Sequence, residues 1–94
     1  MKSPTSGQAK LKNIIAGRLR KARTACNPPL TQDQLSGRLA AKRVTLDRVA
    51  ITKIENAQRC VFDFEVKALA EVLKVDPGWL LGMHAVGGPR RNQV

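Results

Sequence analysis

Ninety-four residues leave room for one domain, and an apolar content of 43% belongs to a chain that folds around a core rather than a disordered one. Seventeen Lys and Arg against seven Asp and Glu give a net charge of +10, which points to a polyanionic partner. With only Phe62, Phe64 and Trp79 as aromatics, no apolar run near the ~20 residues of a membrane span and no apolar centre in residues 1–10, neither stacking platforms nor a spanning helix nor a secretory signal is expected, and the expected compartment is the cytoplasm.

Residues 1–9 read as a flexible basic arm, polar and rich in small side chains. A helical pattern starts at Lys10, with Leu11, Ile14, Ile15, Leu19, Ala22 and Cys26 at three- and four-residue steps. Asn27-Pro28-Pro29 stops it, because consecutive prolines cannot supply helix amide hydrogens. The second helix is predicted from Thr31 as N-cap, with Gln34 completing a capping box and Leu30 and Leu35 a hydrophobic staple, and runs to about Ala41 with Leu35 and Leu39 inward. Residues 42–46 connect to a third helix, about 47–56, capped by Asp47. Ile51 and Ile54 mark its buried face with Val49 and Ala50 beside them, while Arg48, Thr52 and Lys53 point away. Asp63 is the expected cap of a fourth helix through about Lys74, with Val66, Leu69, Ala70 and Leu73 inward. Asp76-Pro77 starts a short fifth helix that carries Trp79, Leu80 and Leu81 and ends at Gly82. Residues 83–94 read as a flexible tail. The domain is therefore 10–82, and its class is all-α.

Charge is not spread evenly. Residues 1–30, 31–60 and 61–94 carry net charges of +7, +3 and 0. A surface tuned only for solubility mixes the signs, so nucleic-acid contact is expected on the first two thirds. The neutral remainder is left for packing or a protein partner, and Trp79 either closes the core or faces such a partner. Cys26 and Cys60 lack metal-ligand spacing and read as small buried or half-buried hydrophobes; a disulfide is not expected. His84 stands alone and no carboxylate pair is spaced for chemistry, so neither an enzyme nor a metal or other cofactor is expected.

Three segments, taken in order, are specific in combination: Leu30-Thr31-Gln32-Asp33-Gln34-Leu35, Ile51-Thr52-Lys53-Ile54-Glu55-Asn56, and Leu69 through Leu81. Over about residues 12–82 the chain resembles the phage-repressor (Cro-like, XRE-type) helix-turn-helix family. The resemblance implies a five-helix, lambda-repressor-like domain whose second helix crosses the DNA backbone while the third enters the major groove. It places Asp47, Arg48, Val49, Thr52 and Lys53 on the base-reading face, and Gln32, Arg43, Asn56 and Arg59 on phosphates, with Gln32 also bracing helix three. It makes Arg23 and Glu55 a structural ion pair. The implied function is a sequence-specific, homodimeric transcriptional repressor of double-stranded DNA. The alternative is an antitoxin or accessory module whose helix four and five surface binds a protein. The chain departs from the family in the prolines after helix one, in a longer connector before Asp47, and in Ala57 where glycine is usual. Ala57 implies either mild strain or Asn56 taking the left-handed role.

Overall fold

The computed structural model describes residues 11–89; the basic arm of 1–9, the helix start at Lys10 and the end of the tail at 90–94 lie outside the described residues. Among the described residues there are five helices and no strand: α1 (Ala16–Ala25), α2 (Gln32–Ala41), α3 (Arg48–Glu55), α4 (Asp63–Leu73) and α5 (Pro77–Leu80). None is long and apolar enough to cross a membrane. One core gathers Ile15, Leu19, Leu35, Leu39, Leu46, Ile51, Ile54, Leu69 and Leu80, each almost wholly buried, so every helix contributes or adjoins an inward face.

Helix α1 begins six residues later than the apolar periodicity suggests. The cause is Asn13. Its Oδ1 accepts the Ile15 amide, and its Nδ2 donates to the carbonyls of Ile54 (3.0 Å) and Arg59 (2.9 Å). A side chain that bonds its own backbone competes with the helix, and here it also closes the end of α3. The Lys12 amide adds a bond to Ala57 O. Ile14, expected on the buried face, is consequently 74% exposed, and Leu11 is exposed as well.

Both expected caps around α2 and α3 form. Thr31 Oγ1 accepts from the Gln34 amide while Gln34 Oε1 accepts from that of Thr31, and Asp47 Oδ1 accepts from the Ala50 amide at 2.7 Å. Helix α4 starts differently. Its cap is Phe62, whose amide donates to Glu65 Oε1, while Asp63 is already the first helical residue and accepts from the Phe64 amide. Arg59 grips both oxygens of Glu65 (3.0 and 3.2 Å), which holds this buried carboxylate under the cap amide.

Three helices end with a non-glycine residue in the left-handed region: Arg43 (φ 64°), Ala57 (φ 58°) and Lys74 (φ 58°). At each, the next residue's amide bonds five positions back, Val44 to Leu39, Gln58 to Lys53 and Val75 to Ala70, satisfying carbonyls the helix leaves open. Ala57 thus takes the left-handed conformation itself, and Asn56 does not.

Beyond Gly82 the chain folds back. The Asp76 amide donates to Gly87 O, and Arg18 lies 4.9 Å over the Trp79 ring while its Nη1 donates to Trp79 O and His84 O. Trp79 and Leu80 are buried and Leu81 half-buried, so of the two roles open to Trp79 it takes the first and closes the core. Cys26 is half-buried as expected, but Cys60 is exposed; both are free thiols.

Candidate nucleic-acid interface

Eight residues make too short a helix to hold its own direction in water, so the orientation of α3 is imposed by its neighbours. Asp47 caps it, Ile51 and Ile54 enter the core, and Glu55 is buried at its last turn. Glu55 is a hub. Arg23 Nε and Nη2 lie 2.6 and 2.9 Å from its two oxygens, Gln32 Nε2 donates at 3.1 Å, and Arg20 Nε approaches to 3.4 Å. The ion pair of Arg23 and Glu55 is therefore present, and it joins α1, α2 and α3 at one point. Burial pushes the Glu55 carboxyl up, but hydrogen bonds from Arg23, Gln32 and Arg20 and the charge of Arg23 outweigh this and leave it below its ordinary value. Its carboxylate in turn raises the Arg23 guanidinium, against the effect of burial.

With one side of α3 tied down, the opposite side is free. Val49 and Lys53 are exposed on it, Arg48 is exposed at its edge next to α2, and Asp47 stands at its start. Val49, read as flanking the buried face, lies outside it. A shallow hollow of about 380 Å³ is lined by Asp47, Val49, Ala50, Lys53, Gln58 and Arg59. It brings together three of the five residues assigned to base reading.

Thr52 sits differently from its expected outward position. It is half-buried, and its hydroxyl lies 2.8 Å from Gln32 Oε1 and 2.9 Å from Arg48 O, so its single proton is already committed. What remains for a ligand is its methyl group and the acceptor capacity of the hydroxyl oxygen. Gln32 braces α3 as anticipated, with its oxygen on Thr52 and its nitrogen on Glu55.

The four residues assigned to phosphates are not equivalent. Gln32 begins α2, where unpaired amides form a positive end. Arg43 is exposed in the connector. Asn56 follows α3, exposed, with Oδ1 accepting from Arg20 Nη2 at 3.1 Å. Arg59 is committed inward instead: its guanidinium forks onto Glu65 and donates to Cys60 O, and the Glu65 hydrogen bond raises it above its ordinary value. Lys42, beside Arg43, pairs with Glu71 at 3.5 Å.

Sequence reasoning missed Asn13 and Arg20, which serve the end of α3 from 41 and 36 residues away. Asn13 before an apolar run carried a local signal, since Asn commonly bonds backbone two residues on. Arg20 carried none. No family model, curated protein or solved structure matches the chain.

Proposed function

We propose that this protein is a sequence-specific double-stranded DNA-binding regulator that reads the major groove with α3, as a homodimeric repressor. The observation that carries the reading is the two-sidedness of α3: Ile51, Ile54 and Glu55 are locked into the domain while Val49 and Lys53 project from the other side and Arg48 is exposed at the edge next to α2. The α2–α3 pair then acts as a helix-turn-helix. A helix about 10–12 Å across fits a major groove about 12 Å wide. Arg48 and Lys53 have the donors for guanine O6 and N7, and Val49 and the Thr52 methyl suit a thymine methyl. The amides at the start of α2 and the Arg43 side chain supply backbone contacts that set register without reading sequence.

The test is selection of duplexes from a random pool, followed by binding across a salt series for wild type and for Arg48→Ala combined with Lys53→Ala. A two-fold-related motif that the double variant loses is expected. If each subunit neutralises about four phosphates, log K falls with log salt at a slope of about −3.6 per subunit. Equal affinity for all duplexes, unchanged by the substitutions, refutes base reading.

A second reading rests on Phe62 and Phe64, 56% and 57% exposed with ring centroids 5.6 Å apart. Two neighbouring aromatic rings at the surface form a small apolar patch that would suit a partner protein, which favours the antitoxin or accessory alternative. Phe62→Ser with Phe64→Ser leaves duplex binding intact and abolishes co-purification of the partner if that reading holds.

A further inference from the structure

The first turn of α2 meets α3 at three levels. Asp33 lies beside Arg48, and Gln32 beside Thr52 and Glu55. Positions 48, 52 and 55 follow one another at the four- and three-residue steps of a single helix side. Two of these levels are hydrogen bonds of half-buried or buried groups, and they hold the helix. The third is of another kind. Asp33 Oδ1 is 3.7 Å from Arg48 Nε, with the side chains 76% and 64% exposed. An exposed pair of this sort contributes little to stability. It also puts a carboxylate on the side that faces a phosphate backbone under the function proposed above, where it is repelled.

We propose that Asp33 is a positioning residue for sequence discrimination. Its carboxylate, 3.7 Å from Nε, attracts that edge of the Arg48 guanidinium and so leaves the two terminal nitrogens turned to a guanine. The inference rests on α3 being the base-reading helix. A guanidinium is a planar fork with one N–H at Nε and four on the terminal nitrogens. A carboxylate on the Nε edge leaves the terminal edge, whose spacing matches guanine O6 and N7. Asp47, the other acid at this end, caps the helix through its Oδ1, and the acid paired with Arg48 among the described residues is Asp33.

The pair also penalises the wrong complex. When Arg48 swings to a phosphate it leaves Asp33 unpaired beside the backbone, so Asp33 weakens every complex but weakens the non-specific ones most. Discrimination built on such a repulsive element is a difference of affinities, not a gain in contact.

The test compares full-length wild type, Asp33→Ala, Asp33→Glu, Arg48→Ala and the Asp33→Ala/Arg48→Ala double variant. Fluorescence anisotropy at one salt concentration measures binding to the selected duplex, to its single-base-pair variants and to an unrelated duplex. Thermal unfolding checks the fold, which the intact capping box of Thr31 and Gln34 protects. Asp33→Ala is expected to bind the unrelated duplex about threefold tighter, since one charge near phosphates is removed. It is expected to lose about fivefold or more of the preference at one G·C pair, the one at which Arg48→Ala loses it. Asp33→Glu restores that preference, and the double variant is no less selective than Arg48→Ala alone. Unchanged preference in Asp33→Ala, or an equal loss at every position, overturns the proposal while leaving base reading in place. A wild type with no preferred duplex overturns base reading itself, and this inference with it.

Discussion

Replacing Glu55 by Gln removes one charge and little volume from the point where three helices meet. The side chain of Glu55 is fully buried and that of Arg23 is 13% exposed, so the variant leaves a guanidinium in the interior facing a neutral amide. Breaking a buried ion pair from one side costs about 3–5 kcal/mol. Arg23 keeps its bond to Leu30 O at 2.9 Å, and the new amide oxygen still accepts one hydrogen bond, which places the expected loss at about 3 kcal/mol. Against a total of about 5–15 kcal/mol this is a large fraction, and for a domain of this size it lowers Tm by about 12–24 °C. Thermal and urea unfolding followed by far-ultraviolet circular dichroism at neutral pH measure it. Acidity supplies a second signature. The folded Glu55 carboxyl lies below its ordinary value of 4.5, so on acidification the unfolded chain takes up the proton first. The stability that Glu55 contributes is then fully present above about pH 4.5 and is lost as pH falls through the lowered folded value. The gap between wild type and Glu55→Gln should narrow over that interval. A loss under about 1 kcal/mol at neutral pH, or a gap that stays constant in acid, refutes the hub as the element that holds α3.

Arg43 and Lys74 hold left-handed backbone on the surface, where a non-glycine residue costs about 1–2 kcal/mol and glycine's greater unfolded entropy returns about 0.5–1 kcal/mol. Arg43→Gly and Lys74→Gly should each stabilise by about 0.5–1 kcal/mol in urea unfolding, and a loss at either site contradicts the assigned geometry. A Cβ on Gly88 would meet the Trp79 ring at 2.7–3.0 Å, and that ring is buried. Gly88→Ala should therefore lift the 83–88 segment and red-shift the fluorescence of the single tryptophan; an unchanged spectrum argues against the fold-back. Arg48→Ala with Lys53→Ala removes exposed charges outside the core, so Tm should move by less than the equivalent of about 0.5 kcal/mol.

The parts legible beforehand are those decided by residues close together in the chain. Thr31 with Gln34, and Asp47 ahead of Ile51, announce helix starts because each cap's partner lies three positions away. The start of α1 is hidden in the sequence because Leu11 and Ile14 continue the helical period, while the group that ends it, Asn13, bonds carbonyls 41 and 46 residues away. The cap of α4 lies one residue before the expected Asp63 for a related reason. Asp63 is the better cap by type, yet Glu65, gripped by Arg59, captures the Phe62 amide first. Thr52 and Arg59 show the same limit within the candidate site. Residue type made both plausible DNA contacts, and only their neighbours in space, Gln32 and Glu65, show that their polar atoms are in use. The left-handed Arg43 and Lys74 could not be foreseen, since nothing in either residue favours that conformation.

These commitments separate two populations of charge that the net value of +10 merges. Arg23 and Arg59 are spent on Glu55 and Glu65, which a chain with seven acids uses to fix the two ends of the 55–65 region. Arg18 is spent on carbonyls at the C-terminal fold-back. Arg38, Arg43, Arg48 and Lys53 remain exposed on α2, the connector and α3, where a field that draws in a polyanion also meets the helix proposed to read it. Substituting the first group should cost stability before binding, and substituting the second should cost binding alone. Measuring both quantities for Arg23→Met and for Lys53→Ala tests that division directly: equal stability losses in the two variants would mean that the exposed side of α3 is part of the fold and not a surface kept free for a ligand.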